Sequence, residues 1–352
     1  MKQTRGRWQG LLAAVLVAAV IGLLTWVNVR FAYQNPGGND FLTRWVGTRA
    51  LLFEGLSPYS DEVALRIQQR AYGRPARADE DQMRMAYPIY SVLIFAPFAW
   101  IADYPLARAV WMTALEVLLL ALLALSLRLV RWKPSTPLLG MLLLFSLTWY
   151  HGVRAVINGN AVVWVAFFLT AAVWALEERR DAWAGVLLAL ATIKPHLALL
   201  PLLFVFGWAW FQHRRKVIVW TVGTVAVFSL AGMLVVPQWV LQNLREVLAY
   251  TDYTPPTTIQ DALQGWFPEW GTTLGWALTL ALAGMLVWVW WQAWQQVAFP
   301  LWTYALTLVA SQWIGITTDP GNFILLFLPL IWVLARLARR FGERAAWVLL
   351  GV

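Results

Sequence analysis

Asp40 stands in Asn35-Pro36-Gly37-Gly38-Asn39-Asp40-Phe41, directly after the first apolar stretch of the chain. A carboxylate where a membrane segment emerges, followed at once by an amphipathic stretch, suits a general base working at the bilayer surface. The plainer alternative is that Asp40 caps the helix expected from Phe41, and the two roles are compatible. A second chemical group is Lys194-Pro195-His196. A lysine at the bilayer centre costs about 2.5–3.5 kcal/mol on insertion scales, a cost better tolerated where a proline breaks the helix and backbone lines a cavity. Its structural alternative is a lysine that snorkels to the outer interface beside a simple kink.

Other polar residues are weaker candidates. Asp252 and Asp319 each open an outer turn and are alternative bases. Tyr59, Tyr87, Asn158 and Asn160 are candidates for hydrogen bonds to a sugar or acceptor. Glu116 sits inside the apolar run Leu106 to Leu127, where pairing with Arg154 or packing as a protonated hydrogen-bond partner accounts for it. Asp79-Glu80-Asp81 resembles a metal motif of nucleotide-sugar enzymes, but an acidic loop is usually just solvated. The three His are far apart in sequence and there is no cysteine, so neither a metal site nor a cofactor is expected.

The elements that must position these groups are membrane helices. Sixty per cent of residues are hydrophobic and 13% charged, with a mean hydropathy of +0.60. Long apolar runs without alternation specify an all-α polytopic transmembrane bundle, not a β-barrel. Twenty-five Trp fit side chains at the membrane–water boundary. The net charge of +9 gathers at helix ends, as the positive-inside rule expects, so no nucleic-acid partner is expected. The run Gly10 to Val29 is too long for a signal peptide and lacks a small-residue cleavage site, so it reads as a retained helix with a cytoplasmic N-terminus.

Arg179-Arg180, Arg214-Arg215-Lys216 and Arg336 to Arg340 are expected on that same cytoplasmic side, with Lys194 on the other. Alternation fails between Tyr87 and Trp149, where three apolar runs meet an even-crossing requirement. Either Tyr87 to Ile101 enters and leaves on one face, or Arg179-Arg180 lies outside and Trp183 to Phe211 is one kinked crossing. The expected count is about ten or eleven helices. Ala345 to Val352 reads as the start of another span.

Two outer segments, 30–85 and 237–271, interrupt this single domain of residues 1–352. The first carries eight Arg and seven acids. It reads as two amphipathic surface helices. Phe41 to Phe53 places Phe41, Trp45 and Leu52 on one stripe, with Asn39 or Asp40 as N-cap and Gly55 as stop. Ser60 to Tyr72 has Ser60 as N-cap and Gly73 as C-cap.

Asn39-Asp40-Phe41 followed by Gly55-Leu56-Ser57-Pro58-Tyr59 resembles a pattern of GT-C glycosyltransferases, particularly glycosyltransferase family 87. The resemblance continues at Tyr87-Pro88, Ala96-Pro97, Gly159-Asn160, Gly185, Lys194-Pro195 and Phe327-Leu328-Pro329-Leu330. Where that family tends to show Gly-Gln-x-Asn, this chain has Asn158-Gly159-Asn160. The resemblance implies a GT-C-like fold in the cell membrane and an extracytoplasmic site. There a sugar, typically mannose, passes from a polyprenyl-phosphate donor to a lipid or glycan acceptor. Such a donor leaves as an anion, so one carboxylate suffices, the reaction inverts, and Asp40 is the base. The departing phosphate needs cations or donors, for which Lys194, His196, Arg44 and Arg49 are the candidates. The outer helices and the loop around Tyr250 to Trp266 are expected to roof the cavity. A lipid-linked-sugar transporter would not need Asp40 at the surface and would more often show inverted repeats. A non-catalytic scaffold would not explain the clustering of Asp40, Asn158 and Lys194 on one side.

Overall fold

The computed structural model describes residues 2–253, 258–314 and 320–351, and all regular structure among them is helical. The chain opens with α1 (Lys2–Gln34), which packs along α5 (Tyr104–Leu129). Between them lie α2 (Asn39–Glu54), α3 (Asp61–Tyr72) and α4 (Val92–Ala99), the last preceded by a 3-10 turn at Ile89–Ser91. Next come α6 (Thr136–Thr148), α7 (Tyr150–Asn158), α8 (Val162–Glu177), α9 (Asp181–Ala191) and α10 (Pro195–Phe211). The remaining elements are α11 (Lys216–Val235), α12 (Trp239–Tyr253), α13 (Ile259–Trp266), α14 (Gly271–Trp294) and α15 (Leu301–Ile314). A 3-10 stretch at Pro320–Leu326 leads into α16 (Phe327–Phe341), and α17 (Glu343–Leu349) follows.

Five helical stretches are long and apolar enough to cross a bilayer: Ala14–Gln34, α5, α11, α14 and Pro320–Phe341. The pair α6 and α7, bent by 43°, makes a sixth if it is one span. Four shorter apolar helical stretches, Ile89–Ala99, α8, α9 and α10, accompany them. Length alone therefore supports fewer full spans than the about ten or eleven read from the apolar runs, because several of those runs form short helices.

Polar bonds define one end of the bundle. Arg128 pairs with Glu178 (2.7 Å), Arg214 with Asp181, and Arg339 donates to the carbonyls of Val130 and Arg131. The basic clusters around 128–133, 179–180, 214–216 and 336–340 thus share that end. This geometry rejects the alternative that places Arg179-Arg180 on the opposite side. The helical part of Tyr87 to Ile101 is about 16 Å long, short of a 30 Å hydrocarbon core, which fits a stretch that enters and leaves on one face.

The first outer segment follows several local expectations. Val63 N donates to Ser60 Oγ (3.3 Å) at the start of α3, and Gly73 and Gly55 close α3 and α2 in left-handed conformations. Two details differ. The N-cap of α2 is Gly38, at φ 76° with no side-chain cap, so Asn39 and Asp40 lie inside the helix. Nor is α2 a surface helix: Phe41, Trp45 and Ala50 are fully buried, while Leu52 is exposed. Its aromatic face is taken up by the protein core, with Phe41 stacked on Trp111 of α5 at 5.2 Å.

Candidate active site

The short linker between α1 and α2 carries Asp40 into the bundle, and Arg108 fixes that linker. Arg108, in the first turns of α5, is 2% exposed. Its Nη1 donates to the Asn35 carbonyl (2.6 Å) and its Nη2 to the Ile157 carbonyl (2.9 Å). Tyr104 Oη donates to the carbonyls of Gly37 (2.8 Å) and Gly38 (3.0 Å). A Cβ on Gly38 would lie 2.4 Å from Arg108 Nε, so this turn needs glycine for space as well as for its positive φ. The end of α1, the start of α2 and the end of α7 are therefore joined through two side chains of α5.

Gly159 completes the approach of α7 to α2. It ends α7 at φ 74°, and a Cβ there would sit 2.4 Å from Phe41 Cβ. Trp111 Nε1 bonds its carbonyl (3.0 Å). The turn brings Asn158 onto Asp40, with Asn158 Nδ2 donating to Oδ2. Arg44 Nη1, one helical turn on, meets Oδ1 at 3.3 Å and the Asp40 carbonyl at 2.9 Å. The Asp40 side chain keeps 24% of its surface exposed, so it is oriented from two sides and still reachable.

A second half of the site meets the first across Tyr87. The Arg44 guanidinium lies 4.1 Å from the Tyr87 ring centroid, and Lys194 Nζ lies 5.7 Å from the same centroid. Tyr59 Oη donates to the Tyr87 carbonyl (2.6 Å), and burial raises the pKa of the Tyr59 phenol, so it acts as a neutral donor. Lys194 is 6% exposed. Its ammonium donates to Asn160 Oδ1 (2.9 Å) and Asn322 Oδ1 (3.1 Å). Pro195 begins α10 immediately after it, so the backbone is broken where the charge is buried. Arg44 and Lys194 bring two cations to a single aromatic ring, and Arg44 pairs in turn with the Asp40 carboxylate. The group can hold an anion near a carboxylate.

Not every candidate joins this group. Arg49 points elsewhere, with Nη1 on the Ala99 carbonyl (2.6 Å) and its guanidinium over Trp45 and Phe53. Five residues turn a helix by about 140° from Arg44, which removes Arg49 from the Asp40 face. His196 is exposed on the first turn of α10. The side chain of Asp252 and the whole of Asp319 lie outside the described residues. Glu116 accepts from Asn28 Nδ2 (2.7 Å) between α5 and α1, away from Asp40. Glu80 is held by Arg74 (2.6 and 2.8 Å), which lowers its carboxyl to about 2. Among the described residues no group of three His, Asp or Glu is arranged to hold a metal. The second outer segment meets the first through α12, where Gln242 accepts from Ser57 (2.7 Å) and Glu246 pairs with Arg84 (3.3 Å). The α13 part of that loop packs instead on α14.

Arg108, Tyr104 and Asn322 were not among the sequence candidates. An arginine in the first turns of an apolar span was the available signal for Arg108. Asn322 had none beyond its place after Asp319-Pro320-Gly321.

A helical membrane protein in which a carboxylate and two cations are brought together is the class of chain that the fold and site define. The model of glycosyltransferase family 87 matches residues 86–314, and the chain belongs to that family. The matched stretch includes Tyr87, Asn158, Asn160 and Lys194, whereas Asp40, Arg44 and Asn322 lie beside it. No curated protein and no solved structure matches the chain.

Proposed function

We propose that this membrane glycosyltransferase moves a sugar, mannose in the first instance, from a polyprenyl-phosphate donor to a hydroxyl of a lipid or glycan acceptor on the extracytoplasmic face. The observation that carries the reading is that Arg44 and Lys194 meet at the Tyr87 ring while Arg44 also pairs with Asp40. Asp40 takes the proton of the acceptor hydroxyl as its oxygen attacks the anomeric carbon. The bond from that carbon to the phosphate oxygen breaks on the opposite face, and the configuration inverts. The electron pair leaves with the polyprenyl phosphate, whose growing charge Lys194 and Arg44 offset. Asn158 keeps the carboxylate turned toward the acceptor, and Asn160 and Asn322 keep the ammonium in place. No leaving-group acid is required, because a phosphate departs as an anion.

The test is transfer of radiolabelled sugar from synthetic polyprenyl-phosphate mannose in membranes. Asp40→Asn keeps the shape and the Asn158 neighbour but removes the base, and transfer falls by about 10²–10⁴-fold with donor binding retained. Lys194→Ala lowers turnover by about 10²–10³-fold through loss of leaving-group stabilisation. Undiminished transfer by Asp40→Asn would remove that residue from the base role.

A further inference from the structure

Arg49 leads to a different part of the molecule. On the face of α2 turned away from Asp40, a cleft of about 570 Å³ opens between α2 and α3. Its walls carry Trp45, Arg49, Glu54, Glu62, Arg66 and Arg70. The charges are unevenly matched. Arg66 pairs with both acids, at 2.5 Å to Glu54 and 2.7 Å to Glu62. Among the described residues neither Arg49 nor Arg70 is within ion-pair distance of a carboxylate: both guanidinium groups lie against the Trp45 ring, at 5.0 and 5.1 Å from its centroid, and Arg49 also donates to the Ala99 carbonyl. Two guanidinium groups against one indole, neither in an ion pair among the described residues, have the chemistry to share an anion.

The surroundings of the cleft say what kind of anion. Leu65 lies in its wall, and Leu52 and Phe53 extend from the same end of α2. Phe53 makes an edge contact with Trp100 (5.1 Å), which is 71% exposed. Such residues beside a membrane span belong at the level of lipid headgroups, with the aromatic rings in the apolar boundary. A soluble anion would gain nothing from that rim. An amphiphile would use both parts.

We infer that this cleft takes the phosphate of an anionic phospholipid, held between Arg49 and Arg70, with the acyl chains lying over Phe53 and Trp100. The site is separate from the group around Asp40 and does not depend on the transfer reaction. Occupied, it would tie α2 and α3 to the outer leaflet while the opposite face of α2 carries the base.

Binding is read without activity, by native mass spectrometry of the full chain released from nanodiscs of phosphatidylglycerol and phosphatidylcholine. Retention of phosphatidylglycerol exceeds that of phosphatidylcholine, and Arg49→Gln with Arg70→Gln lowers it by about ten- to thirtyfold. Arg70→Gln alone changes an exposed side chain and leaves the fold intact, so it keeps the test open if the double variant fails to fold. Its expected loss is about three- to fivefold. Glycerol phosphate, which has the headgroup but no chains, does not displace the lipid. Equal retention of the two lipids, no loss in the variants, or displacement by glycerol phosphate would each overturn the proposal. None of these outcomes bears on whether Asp40 is a base.

Discussion

Arg108 shows what a single side chain does for the placement of Asp40 by holding the linker that leads into it. A buried guanidinium bonded to the Asn35 carbonyl of the α1–α2 linker and the Ile157 carbonyl of α7 ties the two together, and the linker leads into Asp40 while α7 ends at Asn158. Removing it takes that donor from the Asn35 and Ile157 carbonyls, a net loss of about 1 kcal/mol each. The expected outcome for Arg108→Gln is a fall in kcat of about 10-fold or more with donor KM little changed, since misplacement acts on the attacking geometry. Arg108→Lys, which restores charge but only one of the two bonds, recovers part of the rate. A rise in KM at constant kcat would instead assign Arg108 to donor binding. This residue was legible only in part. An arginine in an apolar helix draws notice, but its partners are backbone carbonyls, which no sequence pattern marks.

At the scale of elements, α2 is the piece that the site depends on. Its C-terminal end was readable, as was the start of the next helix, since Gly55 and the Ser60 cap obey local rules that hold without tertiary context, whereas its start, capped by Gly38, was expected one or two residues later. Its surroundings were not. A stripe of Phe41, Trp45 and Leu52 serves equally for a helix on a membrane surface and for one packed under α4 and α5, and only the long-range partners decide. The same limit explains Arg49: proximity in sequence suggested a shared phosphate site, whereas helical rotation sends it to the far side of α2. Gly159 measures how closely α7 must approach. Gly159→Ala adds a Cβ where φ is 74° and Phe41 stands 2.4 Å away, so stability falls by about 1–3 kcal/mol. Thermal unfolding in detergent checks this, and transfer activity should fall further than stability because Asn158 moves with the turn. An unaltered melting temperature would show that α2 can yield at that point.

For the whole molecule, the ends of the bundle follow from bonds among the basic clusters, but which end meets the cytoplasm is an expectation from charge. The absence of cysteine makes that testable with single substitutions. Asp79→Cys lies on the first outer segment and Arg215→Cys at the basic end, and both positions are exposed. A membrane-impermeant maleimide should label Asp79→Cys in intact cells and Arg215→Cys only after permeabilisation. The reverse pattern would place the base on the cytoplasmic face and exclude an external acceptor. The fold class was open to sequence reading because hydropathy is a local property summed over a window. The number of full spans was not, because a run's apolarity does not reveal whether the helix continues through a proline or a bend.

The lipid-facing length of α1 has its own consequence. In a thicker or thinner bilayer α1 must tilt or slide to match the hydrocarbon, and its last residues would carry that displacement toward the carboxylate. Arg108 grips the chain at Asn35, five residues short of Asp40. That grip would make α5, rather than α1, the reference against which the Asp40 carboxylate is held, and would buffer its position against changes in lipid thickness.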